Sequence, residues 1–436
     1  MTTTTTLEGK IITPADRRYA LLRSTYTQVA RPAMVILPET TADVVSALHY
    51  AREQDLPIAV RSGGHGLSGR SSNNGGTVID LSALNEIRVL DRGARLVRVG
   101  AGARWAHVAR ALAPAGLAIS SGDHGNVGVG GLATAGGIGW LARDYGLTID
   151  HIRAAEIVLA DGTVVRADAE HDPDLFWAVR GAGAGVGIVT AFEIEAAELR
   201  DVGMAQLTML ADRDGRTLTR WADYLATAPR ELTTAGMLMS YGDDVVLSLT
   251  AVIASPDDSR AHRAVAPLRG VGRKLLDQTA RRLPYAGLVP TAHLHTNIGQ
   301  QPSTTINGLL RELTPAAAKS ITAAAIGPTP ALMQLRSLGG AINDVAADDT
   351  AYAHRDHNVL VIGTVFPPQD DAALGRVWRN VAEHTDGAYA NFSTRLDAAA
   401  FRRFYPGRTG DRVLDIWRRY DPDGIFRSAL YQNELA

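Results

Sequence analysis

The chain contains no cysteine. That single absence excludes disulfides, thiolate metal sites, iron–sulfur clusters and cysteine nucleophiles. An excess of one charge is missing too: 44 lysines and arginines face 46 aspartates and glutamates, a net charge of −2. Such a balance argues against nucleic acid or an anionic membrane surface as partner. No apolar run approaches the roughly 20 residues that a membrane-spanning helix needs. Met1 is followed by five threonines, with neither a basic nor an apolar leader segment, so the expected location is cytoplasmic. Glycine, in contrast, is plentiful at 43 residues, and it is clustered. The 436 residues allow two or three domains with a sizeable core.

Residues 31–196 alternate between strand-like and helix-like segments. Short apolar runs at 33–38, 58–61, 78–81 and 96–99 read as strands. Thr40 and Asp43 form a capping box for a helix with Val44, Val45, Leu48 and Ala51 on one face. Residues 105–112 read as a helix. Residues 155–159 and 164–167, joined by Asp161-Gly162, read as a hairpin. From about 200 to 385 longer strand candidates (237–241, 245–253, 359–364) are separated by alanine-rich helices. That texture predicts an antiparallel sheet with helices on one side. The stretch 386–436 is rich in aromatics and arginine, with a helix near 411–420.

The first glycine cluster is Arg61-Ser62-Gly63-Gly64-His65-Gly66, after the strand at 58–61. Paired glycines let a backbone approach a flat or anionic ligand, and the imidazole then points at it. A second glycine-rich loop runs from Ser121 to Gly139, and a third cluster spans Gly181–Gly187. Within the second, Gly128-Val129-Gly130-Gly131-Leu132-Ala133 matches the dinucleotide pattern G-x-G-x-x-G/A. It does not directly follow a strand, and no acidic residue is clearly placed about 20 positions on, so a nicotinamide-type site is not expected. Loops presenting N–H groups to a pyrophosphate from two sides fit better.

Several stretches together resemble the vanillyl-alcohol oxidase superfamily, in its branch of berberine-bridge-enzyme-like FAD-linked oxidases. They are the His65 motif, Val127-Gly128-Val129-Gly130-Gly131 with Gly136-Gly137-Ile138-Gly139, and residues 174–183 running on to Gly187-Ile188-Val189-Thr190. Tyr389-Ala390-Asn391-Phe392 and residues 420–426 complete the set. The resemblance covers nearly the whole chain. It implies an α+β fold: a two-part, PCMH-type FAD-binding domain from residues 1–198 and 386–436, and an inserted substrate domain, 199–385. The insert's antiparallel sheet, backed by helices, would roof the isoalloxazine. FAD would be held covalently by an 8α-histidyl bond from His65. Its other contacts would come from Arg61, Ser62, Gly63, Gly64 and Gly66, from Gly122, His124, Val127, Gly128, Gly131 and Leu132, from Gly187 and Val189, and from Tyr389 and Asn391. The residue at Val127 is the one that shapes oxygen access in the family.

Three departures carry information. Many relatives form a second flavin bond through a cysteine where this chain has His124. Without cysteine only a single link is open, which places the loops nearest the 6-hydroxynicotine-oxidase-like members. Gly185-Val186 stands where relatives often carry Asn-Phe. At the 429–436 ending, the family's asparagine-rich close is reduced to Gln432-Asn433.

For the chemistry, Tyr389 is the leading candidate base; the alternative is a core aromatic with a satisfied hydroxyl. His354 and Arg355 either face the substrate or belong to an exposed polar turn. His293 and His295 share a strand face without a third metal ligand, so no metal is expected and pocket lining or surface suits them. His151 reads as structural. The implied function is an oxidase that takes a hydride from a small organic substrate at a C–O or C–N bond, with O2 as acceptor. A same-fold dehydrogenase and a non-redox cyclase or binding protein using FAD as scaffold remain open. A monooxygenase would need NAD(P)H, for which no second dinucleotide site is visible. The chain is expected as a monomer or homodimer.

Overall fold

The computed structural model describes residues 7–290, 299 and 302–426. His293, His295 and the segment 427–436, with Gln432-Asn433, lie outside the described residues.

The chain is α+β. A four-stranded sheet joins Ile11–Ile12, Met34–Ile36, Thr77–Asp80 and Ile58–Arg61 in that order, the last three mutually parallel. The helix Thr41–Glu53 makes the crossover between two of them. Its capping box is closed: Thr40 Oγ1 accepts from the Asp43 amide at 3.1 Å, and the Thr40 amide donates to Asp43 Oδ2 at 3.0 Å. Lys10 adds an ion pair to Asp43 at 2.6 Å. A five-stranded antiparallel sheet orders Ile87–Asp91, Leu96–Gly100, Ile188–Glu195, Ile152–Val158 and Val164–Asp168. The last two are the hairpin expected around Asp161-Gly162.

The middle of the chain forms a seven-stranded antiparallel sheet. Its order is Lys274–Pro284, Asp201–Ala211, Asp244–Ile253, Leu232–Tyr241, Leu332–Ser337, Val359–Val365, Thr304–Leu310. Strand periodicity separates its faces. Met333, Leu335, Val361 and Val365 pack with Trp221, Ile321 and Trp378 of the helices Arg216–Thr227, Pro315–Ile326 and Asp371–Ala382. The alternate residues Leu332, Gln334, Ile362 and Thr364 face a cavity instead. Four of these strands (201–211, 274–284, 304–310, 332–337) are absent from the sequence reading, which recognised the longest apolar runs.

The two chain ends share one core. Phe401, Phe404, Val413, Ile416 and Trp417 cluster with Ala178, Val179 and Ala182 and with the five-stranded sheet. The indole of Trp417 donates to the Ala182 carbonyl at 2.9 Å, and Tyr405 donates to the Gly181 carbonyl at 3.1 Å. A Cβ on Gly185 would lie 2.4 Å from the Trp417 ring. Glycine at that departure from the family pattern is what lets the C-terminal helix Arg408–Tyr420 seat. Among the described residues no helix is long and apolar enough to cross a membrane.

Candidate functional site

The glycine segments converge because their backbones touch. A Cβ on Gly63 would fall 2.3 Å from the Gly128 nitrogen, and one on Gly128 only 2.1 Å from the Gly63 nitrogen. No side chain fits between the first and second loops, so glycine at both positions sets their spacing. Ser62 Oγ locks the contact, donating to the Ala101 carbonyl at 2.6 Å and accepting from the Gly130 amide at 3.3 Å. Arg104, not singled out from the sequence, donates to the carbonyls of both Gly63 and Asn126 and so ties the same loops. The segment Gly128–Ala133 is not an open loop: Val129–Ala133 forms a short helix.

Between these loops and the seven-stranded sheet lies a cavity of about 500 Å3. Its lining includes Ser62, Gly63, Gly64, His65 and Gly66 of the first loop. The second loop contributes Gly122, His124, Val127, Gly128, Gly131 and Leu132, the third cluster Gly187 and Val189, and the C-terminal segment Tyr389 and Asn391. Glycines at two lining positions leave room rather than avoid a clash: a Cβ on Gly66 or Gly131 would meet nothing within 4 Å. A flat, phosphate-bearing cofactor laid along the backbone would fill that space, so the residues present fit FAD.

His65 is half-buried and stacks on Tyr26, with ring centroids 4.6 Å apart and planes 13° apart. The His124 ring lies 5.4 Å away, tilted 42°. His124 Nδ1 accepts from the Asn126 amide at 3.3 Å, which leaves the proton on Nε2. Tyr389 is 3 % exposed, and its hydroxyl oxygen accepts from the Gly137 amide at 3.0 Å and from Asn391 Nδ2 at 3.1 Å. Burial pushes the phenol above its ordinary range, and the two hydrogen bonds only partly offset this. Asn307 fixes the whole segment. Its amide donates to the carbonyls of Tyr389 and Phe392 at 2.9 Å each and accepts from the Tyr389 amide at 2.7 Å.

Three expected site residues lie elsewhere. Arg61 is 1 % exposed and turns away from the cavity. Its Nε pairs with Asp80 at 2.6 Å, and its other nitrogens donate to the Leu22 and Ser24 carbonyls. It ties the ends of two parallel strands. His354 and Arg355 are neither cavity residues nor an exposed turn. His354 is 3 % exposed, with Nε2 held between the Arg403 and Phe404 carbonyls at 3.0 and 3.2 Å. Burial, reinforced by neighbouring His357, lowers its imidazole to about 4. Arg355 grips both carboxylate oxygens of Asp150 at 3.0 and 2.7 Å. The sequence shows histidine and arginine in a polar run. It does not show that burial has already spent their hydrogen-bonding capacity. His151 contacts the Tyr145 carbonyl, in line with a structural role.

The sequence reading also missed residues that shape the cavity: Tyr26, Asn307, and an ion pair between Asp123 and Arg336. Long-range partners such as these carry no local pattern.

A family model described as an FAD binding domain matches residues 32–168. The (R)-6-hydroxynicotine oxidase of Paenarthrobacter nicotinovorans is 32 % identical over 304 residues, 65 % of this chain and 62 % of that one. An uncharacterised FAD-linked oxidoreductase of Bacillus subtilis is 27 % identical across 97 % of this chain and 96 % of its own length. Among solved structures, a chitooligosaccharide oxidase superposes with a TM-score of 0.86 at 22 % identity, covering 98 % of both chains. The 6-hydroxy-D-nicotine oxidase of Arthrobacter nicotinovorans gives 0.85 at 24 %, again over 98 % of both.

Proposed function

We propose, from its FAD binding domain and its similarity to FAD-linked oxidoreductases, that the chain is a berberine-bridge-enzyme-like oxidase with a singly linked flavin. Residues 1–198 and 386–436 form its cofactor domain, and 199–385 the substrate domain. FAD, when bound, supplies the acceptor for a hydride from a C–H next to oxygen or nitrogen, and O2 takes the electrons to give hydrogen peroxide. His65 carries the covalent link, which prevents cofactor loss. Tyr26 holds the imidazole plane through the 4.6 Å stack. Arg70 is the one lysine or arginine among the described residues lining the cavity, and it would supply positive charge to the cofactor's diphosphate. Tyr389 takes the proton that leaves the substrate's O–H or N–H. The Gly137 and Asn391 N–H groups, which donate to its oxygen, stabilise the phenolate that must be present before Tyr389 can accept that proton and become a neutral phenol. Leu332, Ile362 and Phe392 give the cavity an apolar wall for the hydrocarbon part of the substrate.

The observation that carries this reading is the arrival of His65, His124 and Tyr389, from three distant segments, on one glycine-lined cavity. Three names among the relatives, 6-hydroxynicotine oxidase, chitooligosaccharide oxidase and glucooligosaccharide oxidase, support oxidation of small organic molecules. The test is the intact mass of the denatured protein together with oxygen uptake across a panel of alcohols, sugars and amines. The expected result is one FAD added per chain, lost in His65→Ala, with peroxide formed from at least one substrate class. An unmodified mass rejects the covalent link. Flavin that is reduced by substrate but reoxidises slowly in air rejects the oxidase in favour of a dehydrogenase.

A further inference from the structure

The cavity described above has one carboxylate among its described lining residues, Asp123. It sits beside His124 in the second loop and meets the roof: Arg336 Nη2 lies 2.6 Å from Asp123 Oδ2. Arg336 belongs to the strand Leu332–Ser337, on the same face as the cavity-lining Leu332 and Gln334. It is 8 % exposed and stacks over the Phe392 ring at 4.8 Å. The arginine is therefore fixed by packing, and the carboxylate is fixed by the arginine. About 30 % of the Asp123 side chain stays exposed, and that exposure opens on the cavity. Burying such a pair is costly, and apolar residues of similar volume are often no less stabilising. A pair kept at the junction of loop, roof and Tyr389 segment calls for a use other than stability.

Resting on the oxidase reading, we propose that Asp123 anchors the substrate: its carboxylate accepts a hydrogen bond from an O–H or N–H of an alcohol or amine, and it turns away carboxylate-bearing molecules. The pair sets the state of that acceptor. Burial alone would raise the Asp123 carboxyl, but the Arg336 charge and hydrogen bond, helped by a backbone hydrogen bond and neighbouring His124, together lower it and keep it ionised. The other polar groups facing inward from the roof, Gln334, Thr305 and Thr364, are uncharged. No cation among the roof residues that line the cavity stands ready to receive an anion. Arg336 has its charge committed to Asp123, and Arg70 belongs to the first loop. A carboxylate would be desolvated beside Asp123 without compensation, whereas a donor gains a charge-assisted hydrogen bond. The apolar wall suits the hydrocarbon part of the same ligand.

Calorimetric titration of the holoenzyme with benzyl alcohol, benzylamine and benzoate tests this without relying on turnover. The wild type should bind the alcohol, the amine or both at least tenfold more tightly than benzoate. Asp123→Asn should weaken the donors at least tenfold and leave benzoate unchanged or tighter. Because Asp123→Asn leaves Arg336 buried without its partner, the double variant Asp123→Leu with Arg336→Met serves as control. It should keep its flavin by mass and bind all three ligands with similar affinity. Benzoate binding as tightly as the donors, unchanged donor affinity in either variant, or no binding of any of the three overturns the proposal. Absence of FAD from the denatured mass, or flavin that no substrate reduces, counts instead against the oxidase reading. The two failures are separate measurements.

Discussion

At the scale of single residues, Tyr389 shows how geometry and acidity combine. Its oxygen accepts two N–H groups, so its own proton is directed elsewhere. Burial keeps the phenol protonated at neutral pH. If it is the base, the phenolate fraction limits the proton-coupled step, and flavin reduction should accelerate about tenfold per pH unit below the phenol's pKa. Stopped-flow reduction across pH would show that slope, and Tyr389→Phe should flatten it and slow the step by about 10²-fold or more. Reoxidation by O2 should change far less. A pH-independent rate in the wild type would remove Tyr389 from that role. Gly128 presents the opposite case, a residue defined by what it lacks. In Gly128→Ala the new Cβ meets the Gly63 backbone at 2.1 Å as well as Ser62 Oγ at 2.3 Å. The expected cost is about 1–3 kcal/mol, with a displaced second loop. Thermal denaturation and flavin content should fall together, and an unchanged Tm would mean that the loops separate easily.

At the scale of elements, the strand Leu332–Ser337 divides two tasks between alternate residues. Met333 is fully buried against the helices, whereas Gln334 faces the cavity. Met333→Ala should cost about 2–5 kcal/mol of stability, measured by chemical denaturation, with ligand affinities per folded molecule preserved. Gln334→Ala should do the reverse, leaving the denaturation midpoint nearly unchanged while altering substrate KM. If both variants changed the same property, the two-faced reading of the sheet would fail. The short helix Val129–Ala133 shows why a motif cannot be read alone. Its glycines match a dinucleotide pattern, yet the segment does not directly follow a strand of its own, and its neighbours in space are the first loop and Ala101.

At the scale of the whole molecule, residues 352–357 tie together segments that precede and follow them in the chain. Arg355 reaches back to Asp150, and His354 reaches forward to Arg403 and Phe404. His354 is held neutral, its pKa lowered to about 4 from an unfolded value near 6.5. Between those values the unfolded chain binds the proton and the folded chain does not, so stability rises with pH in this window. As pH falls from about 6.5 to about 4 the loss should approach 3 kcal/mol, on the order of 1.4 kcal/mol per unit. Urea midpoints measured across that window should fall in the wild type and stay flatter in His354→Gln, once the basal cost of the substitution is subtracted. Parallel pH curves for the two proteins would assign the acid sensitivity elsewhere.

The glycine clusters, His65 with its neighbours, and the Y-x-N-F segment at Tyr389 were legible in the amino-acid sequence. Backbone approach to a ligand requires a residue type, and residue type is written in one dimension. The helix at Trp105–Leu112 and the hairpin around Asp161-Gly162 were legible for a similar reason, since period and turn chemistry are local. So was the limit set by missing cysteine, which excludes a thiolate anywhere in the chain. Burial decided the rest. Arg61, His354 and Arg355 have the chemistry of site residues, but Asp80, two backbone carbonyls and Asp150 had already claimed them. Asp123 looked like an ordinary loop aspartate until the roof strand brought Arg336 to it across more than two hundred residues. Charge, donor and acceptor are properties of the sequence. Which of them is still free to meet a substrate depends on the partners that only the fold supplies.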